Sequence, residues 1–333
     1  MNKEYNYIIV GAGSAGCAIA NRLSKNPDNK ILLIEAGNNS HPLSRLPASF
    51  ALLIDNPSAN WRYRSEPEEN TSNRQIPIPR GKLLGGSSSI NGLVYVRGNK
   101  LDYDTWAQLG NTGWSYDDVL PFFKKMENYQ GEITEVRSTE GPLKISEVVD
   151  RNPIYEGLFK GADEIGIPIN KDYNGHEQEG ISYTQTTIFK GERMSAEVAY
   201  LRPTRSRKNL KIITNSLVTK LIFDGKTCKG VKVKNKNKIT DFFAQNEVIL
   251  CGGAINSPQI LELSGIGNRS LLEEKGISLV HELKGVGENL RDHLGPRLVY
   301  NITKRGISYN DKARGINFCL LYTSPSPRDV NRS

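Results

Sequence analysis

Residues 5–35 read YNYIIVGAGSAGCAIANRLSKNPDNKILLIE, and this stretch decides the fold. Tyr5 to Val10 is a short apolar run ending in β-branched residues, the composition of a buried strand. Gly11-Ala-Gly13-Ser-Ala-Gly16 follows as a turn, and Cys17 to Leu23 carries Ala, Ile, Ala and Leu on one helical face. Asn26-Pro27-Asp28-Asn29 breaks that helix. Lys30 to Ile34 is a second buried strand, ended by Glu35. Strand, glycine turn, helix and strand make the βαβ opening of a dinucleotide-binding sheet.

The glycines divide the work of that turn. Gly11 permits the tight reversal, Gly13 lets a pyrophosphate approach the backbone, and Gly16 lets the helix pack close to the strand. The helix N-terminus supplies free N–H groups and partial positive charge for the phosphates. Glu35 stands 19 residues after Gly16, at the end of the second strand. A carboxylate there accepts ribose hydroxyls and repels a 2′-phosphate. These residues leave NAD and FAD both open.

Working outward, 333 residues predict about two domains. Hydrophobic residues at 37% and charged residues at 24% fit a globular chain with a real core. Lys and Arg exceed Asp and Glu by 44 to 36. The cations are scattered, so the balance reads as a mildly basic enzyme with an anionic cofactor and not as a nucleic-acid binder. The densest group, Lys232 to Lys238, is expected at the tip of a strand hairpin. Cys17, Cys228, Cys251 and Cys319 form no CxxC pair and no zinc spacing, so no metal site is expected. Cys17 and Cys251 read as buried thiols, and this usage suits a reducing cytoplasm. No apolar run is long enough to span a membrane, and the opening run enters a glycine turn in place of a cleavage site. The expected location is therefore cytoplasmic, with peripheral membrane association left open.

Asn38 to about Pro79 is too long for an ordinary connection and is expected to be a structured excursion or a lid. Gly141 to Ser146 reads as a strand. Ile154 to Ile165 reads as a helix with Ile154, Leu158, Ala162 and Ile165 on one face, and Ala196 to Leu201 as another helix. Leu210–Thr214, Val218–Phe223, Gly230–Val233 and Asn246–Leu250 are four β-type runs, followed by a helix over Ser257–Leu263. Ser278 to Leu283 and Leu298 to Thr303 read as further strands. Residues 319–333, with two Ser-Pro steps and no periodicity, read as a non-native or disordered tail.

A second glycine-rich segment spans Arg80 to Arg97. Gly85-Gly86 followed by three serines offers N–H groups that can turn inward as an anion nest, and Ser87 can cap a following helix. Glycine also lets a flat ring approach the backbone on one side.

These motifs resemble those of the glucose–methanol–choline (GMC) oxidoreductases, especially the choline and aliphatic-alcohol dehydrogenase branch. One family signature matches Gly81-Lys-Leu-Leu-Gly-Gly-Ser-Ser-Ser-Ile-Asn91 and continues to Asp104. Another matches Gly253-Ala-Ile-Asn-Ser-Pro-Gln-Ile-Leu-Glu-Leu-Ser-Gly-Ile-Gly267. Gly285 to His293, Asn60-Trp-Arg-Tyr63 and Ser65-Glu-Pro67 match further family segments. The resemblance covers about residues 5 to 300, with Glu262 and Arg291 as small departures.

The resemblance implies FAD as cofactor. It implies that Gly11, Gly13, Ser14, Gly16 and Glu35 hold the ADP half. Gly81, Gly85, Gly86 and Ser87 belong to the same site. Asn91, Gly92, Leu93 and Val94 then lie along the flavin, and Val218 touches the adenine side through its backbone. The implied reaction is oxidation of a primary alcohol, choline-like or aliphatic, with a sugar, aryl alcohol or sterol as alternative substrates. The family's catalytic base is a histidine in a C-terminal segment. His41, His176, His281 and His293 do not align with it, although Asp292 could fix the tautomer of His293. No catalytic residue is assigned, and the chain as written is expected to bind FAD without turnover.

The expected fold is α/β. A Rossmann-like FAD-binding domain (1–150 and 191–292) is interleaved with an incomplete substrate domain on an antiparallel sheet (151–190 and 293–318).

Overall fold

The computed structural model describes residues 3–148, 152–293, 295, 299, 301–303, 306 and 307. Strand β1 (Lys3–Val10) pairs in parallel with β2 (Ile31–Ile34) on one side and with the long strand Lys238–Leu250 on the other. Ile8, Ile9 and Ile31–Leu33 have no solvent exposure. That matches the unbroken apolar runs in the sequence, because a parallel sheet is covered on both faces. Leu210–Ile213 adds a fourth parallel strand beyond β2. On the far side, Thr227–Asn235 and Leu217–Asp224 continue the sheet antiparallel. All four expected β-type runs thus fall in one six-stranded mixed sheet. The lysine-rich run forms the hairpin turn between Asn235 and Lys238, as expected.

The chain divides into two compact units, residues 1–45, 49–91 and 195–296, and residues 46–48, 92–194 and 297–333. Apart from residues 46–48, the first unit runs unbroken to Asn91; the sequence reading put its first domain boundary after residue 150. The first unit carries the sheet, with helix α1 (Ser14–Leu23) against it and the helix Gly253–Leu263 after the long strand. Its core gathers Ile8, Val10, Leu32, Ile34, Val218, Leu221, Val231, Val233, Phe242 and Ile260. Burying each such aliphatic side chain contributes about 1.5–3 kcal/mol. The excursion after β2 is structured by short helical turns and a two-stranded ribbon, Tyr63–Arg64 with Pro77–Ile78.

Within the second unit a three-stranded sheet joins Glu127–Tyr129 in parallel to Leu143–Glu147, and the latter antiparallel to Gln185–Thr186. Beneath it lies a buried ionic cluster. Arg137 donates to Glu127 (3.0 Å) and pairs with Asp172 (2.5 Å), its guanidinium 3.6 Å from the Tyr129 ring centroid. Arg97 pairs with the same Glu127 at 2.7 Å. Gln185 completes the cluster, accepting from Arg137 and donating to Asp172.

Several element expectations need correction. The helix Pro153–Glu164 forms, but its expected apolar face is only partly buried: Ala162 is buried and Ile154 half-buried, whereas Leu158 is 55% exposed and Ile165 74%. The contacts run instead through Tyr155 and Phe159, which pack on Tyr183. The expected helix Ala196–Leu201 is a π-helical turn, Glu197–Leu201, running into a 3₁₀ turn. The strand expected over Ser278–Leu283 is only His281–Glu282. Cys251 is half-buried and not fully buried. The strand expected from Leu298 and the tail 319–333 lie outside the described residues.

Candidate functional site: a dinucleotide cleft

Val10, Ile34 and Leu250 stand side by side in register, so the loops after three parallel strands leave the sheet at one edge. That carboxyl edge is where open α/β sheets bind ligands. The Gly11 N–H donates to Ile34 O (2.8 Å), and the Cys251 N–H donates to Val10 O (2.7 Å). Gly11 has φ +98°, and a β-carbon on it would sit 2.4 Å from Cys251 O. A β-carbon on Gly16 would sit 1.9 Å from Gly11 O, so the helix touches the strand turn backbone to backbone. Gly13 differs, because a β-carbon there meets nothing nearer than Cys251 O at 4.0 Å. It is the N-cap of α1, with no side-chain cap and no acidic residue in the first turn. The first-turn N–H groups beside Ser14 and Ala15 therefore open towards the cleft with the positive end of the helix.

Glu35 is 6% exposed. Its Oε2 accepts the Ala12 N–H (2.9 Å) and its Oε1 accepts the Gly37 N–H (2.8 Å). The carboxylate thus ties the glycine turn to the loop after β2. Burial pushes its pKa up, while the two N–H bonds and the charge of Lys82 pull the other way. Each oxygen keeps acceptor capacity for a further hydroxyl.

The second glycine-rich segment serves a different purpose from the one expected. The Gly85 N–H donates to Ala12 O and the Gly86 N–H to Leu83 O, both at 2.8 Å. Those donors are spent on the fold, so Gly85 and Gly86 do not form an anion nest. A β-carbon on Gly86 would lie 2.7 Å from Gly13 Cα, and one on Gly81 would lie 2.2 Å from Gly86 O. These glycines let two backbone segments touch. Ser87 caps no helix: it lies inside the turn Gly86–Ser89, and its Oγ accepts the Gly81 N–H (3.1 Å).

A cleft of about 700 Å³ opens at this edge. Gly11, Gly13, Ser14, Glu35, Gly81, Gly86, Ser87 and Val218 all line it. Gly16 and Gly85 sit behind its wall as spacers. Asn91 ends the first unit, its N–H on Ser87 O, and Gly92, Leu93 and Val94 belong to the second unit. Trp61, Tyr63, Arg80 and the helix start Gly252–Asn256 also line the cleft, and sequence reasoning did not assign them to it. Tyr63 donates to Asn256 Oδ1 (2.6 Å), and its ring stacks on Trp61. The two-glycine end of a strand, Gly252-Gly253, was the available signal. An open N-cap, a buried acceptor and apolar walls from Ile34, Val218 and Ile260 fit the ADP half of a dinucleotide.

Among the four histidines, none lines the cleft. His41 Nδ1 accepts the Leu43 N–H (3.2 Å), and His176 Nε2 lies 2.5 Å from Glu135 Oε1 on the surface. Asp292 accepts the His293 backbone N–H and not its imidazole, so it does not fix the tautomer. Among the described residues, no cluster of His, Cys, Asp and Glu is placed to hold a metal ion, and no helix is long and apolar enough to cross a membrane.

The GMC oxidoreductase family model matches residues 5–295. The chain belongs to the GMC oxidoreductases. Oxygen-dependent choline dehydrogenase of Photobacterium profundum is 42% identical over 298 residues, covering 88% of this chain and 52% of the relative. The Brucella suis enzyme of the same name is 40% identical over 327 residues, covering 96% and 59%. Pyridoxine 4-oxidase from Mesorbium loti superposes with a TM-score of 0.80 at 33% identity, over 84% of this chain and 55% of that one. Formate oxidase superposes with a TM-score of 0.81 at 31% identity, over 88% and 53%. The chain spans about half the length of the curated relatives it matches. GMC oxidoreductases are FAD-dependent, which resolves the choice that the glycine turn and Glu35 left open.

Proposed function

We propose that the protein is an FAD-dependent oxidoreductase acting on the CH–OH group of a primary alcohol, choline-like or aliphatic. The observation that carries the cofactor assignment is the cleft at the strand ends, with an open helix N-terminus on one side and buried Glu35 on the other. The substrate class is supported by the choline dehydrogenase relatives. Bound FAD supplies an acceptor for the hydride of the alcohol carbon. In this reading the first-turn N–H groups at Ser14 and Ala15 bind the pyrophosphate, and Glu35 accepts the ribose hydroxyls. Val218 walls the adenine side, and Asn91 to Val94 run along the flavin. A base must take the hydroxyl proton. The absence of any histidine from the cleft among the described residues favours cofactor binding as the capacity to test first. Protein purified as the full chain and heated should release FAD, identified by chromatography. Release of NAD, or no flavin uptake from added FAD, refutes the assignment. Dye reduction with choline, ethanol and benzyl alcohol then separates substrate classes.

A further inference from the structure

Residues 217–241 carry seven lysines against two aspartates, so this ribbon holds +5 of the net charge of +8. Like charges set face to face cost stability, and Lys220 stands opposite Lys232 in register. The ion pair of Lys232 with Asp241 (2.8 Å) offsets part of that cost. Lys234, Lys236 and Lys238 are exposed, and among the described residues none of them is paired with a carboxylate. Lysines also deter pairing at a sheet edge. Yet the edge strand Leu217–Asp224 carries Lys220 alone, and these three lie on the two strands inside it and on the turn between them.

Their place is the rim of the cleft. Ser216, Leu217, Val218 and Thr219 line it. Lys234 stands directly opposite Leu217, about 5 Å away between α-carbons and on the same face of the sheet. Asn235 Nδ2 donates to Ser216 Oγ (2.9 Å), which ties the hairpin end to the lining. Lys238 is the register partner of Asn235. The backbones of Lys234 and Lys238 therefore lie within about 10 Å of the lining, one Debye length at about 0.1 M salt. Lys229 and Lys226 lie towards the far end of Thr227–Asn235, about 16 and 26 Å from Lys234 along the strand.

We propose that the lysine end of this hairpin guides the anionic dinucleotide to the cleft, raising its rate of entry without holding the bound molecule. This guiding role rests on the dinucleotide reading of the cleft given above. A ligand carrying a pyrophosphate meets the positive field at the rim before it reaches the first-turn N–H groups of α1. Capture is then faster, while escape is set by the contacts inside the cleft.

Stopped-flow mixing of the cofactor-free full chain with FAD, read by flavin fluorescence, gives both rates. At about 0.1 M salt, Lys234→Glu with Lys238→Glu should slow association about five- to tenfold and change dissociation by less than about twofold. Lys226→Glu with Lys229→Glu makes the same change of net charge away from the rim, and should slow association by less than about twofold. At about 1 M salt, where the Debye length is about 3 Å, all three proteins should associate alike. An association rate in the rim variant within about twofold of wild type overturns the guiding role. An equal fall in the distal variant, or a loss carried by dissociation alone, overturns it too. Each of these outcomes leaves the cofactor assignment standing. A wild-type chain that takes up no FAD overturns the assignment, and the guiding role with it. Should the reversed rim pair not fold, Lys234→Gln with Lys238→Gln decides: association should fall about two- to threefold at about 0.1 M salt, and an unchanged rate overturns the role.

Discussion

Glu35 has a structural role in its two N–H bonds, and the proposed binding mode gives the same side chain a second one. Glu35→Ala leaves the Ala12 and Gly37 N–H groups without their acceptor, at a cost of about 1–3 kcal/mol each where they stay dry. It also removes a charge-assisted bond to ribose of about 1.5–3 kcal/mol, so FAD affinity should fall one to two orders of magnitude. Fluorescence-quenching titration with FAD checks the affinity, and apo-protein melting checks the fold. Unchanged affinity would place the ribose elsewhere. Cys17 offers a pH test. Burial pushes its thiol from 9.0 up to about 12, and its Sγ donates to Ala12 O. The native state thus holds its proton where the unfolded chain has lost it, and stability falls as pH rises from 9 towards 12. The loss is on the order of 4 kcal/mol across that window. Cys17→Ala should flatten this alkaline fall in denaturant titrations, and native Cys17 should resist iodoacetamide at pH 8 when peptides are mapped. An equally steep fall in Cys17→Ala would refute the assignment. The place of Glu35 at the end of a buried strand was legible in the sequence. The N–H partners that bury it were not, since they depend on where the neighbouring loops land.

The βαβ element was the most legible part of the molecule, because period, glycine spacing and breaker all pointed to one arrangement. The second glycine segment was misread for a physical reason. Composition shows that a backbone can come close, and does not show to what. At Gly85 and Gly86 the close partners are Ala12 O, Leu83 O and Gly13 Cα, so the glycines serve chain-on-chain contact and their N–H groups are already used. The helix Pro153–Glu164 teaches the converse, since its period was right and only half of the expected face, Ile154 and Ala162, turns inward. The two kinds of glycine in α1 and its turn make opposite predictions. A β-carbon on Gly13 makes only an ordinary contact with Cys251 O, so Gly13→Val should cost the apo-protein no more than about 1 kcal/mol, the loss of a good N-cap residue. FAD affinity should nevertheless drop tenfold or more, about 1.4 kcal/mol, because the side chain occupies the phosphate approach. Gly16→Ala forces a β-carbon against Gly11 O and should destabilise the apo-protein by about 1–3 kcal/mol. Calorimetry of the apo forms with FAD titration separates the two. Normal flavin content in Gly13→Val would show the phosphates lie elsewhere.

At the scale of the whole chain, what the sequence concealed is long-range pairing of charges and strands. Glu127, Arg97, Arg137 and Asp172 are far apart in sequence and carry no local pattern, yet they form one buried cluster. Arg137→Ala would take the guanidinium from Asp172 and Gln185 and leave Glu127 paired with Arg97 alone, and urea unfolding should register a loss of about 1–3 kcal/mol. A loss under 1 kcal/mol would mean that water replaces the guanidinium. The sheet has the same long reach, since β1 is flanked on one side by residues 242–250 and β2 by residues 210–213. On the ribosome, at about 5–20 residues per second, the glycine turn emerges some 10–50 s before the strand that must flank it. For most of that interval two of the most apolar segments of the chain, YIIV and ILLI, can pair only with each other, each with its outer edge open, and are natural clients for a holding chaperone. Cofactor loading must wait as well, because Cys251, whose carbonyl presses on Gly11, is made last among these parts. Nascent chains stalled after residue 220 should fail to retain FAD, while chains stalled with residues 1–300 outside the exit tunnel should retain it.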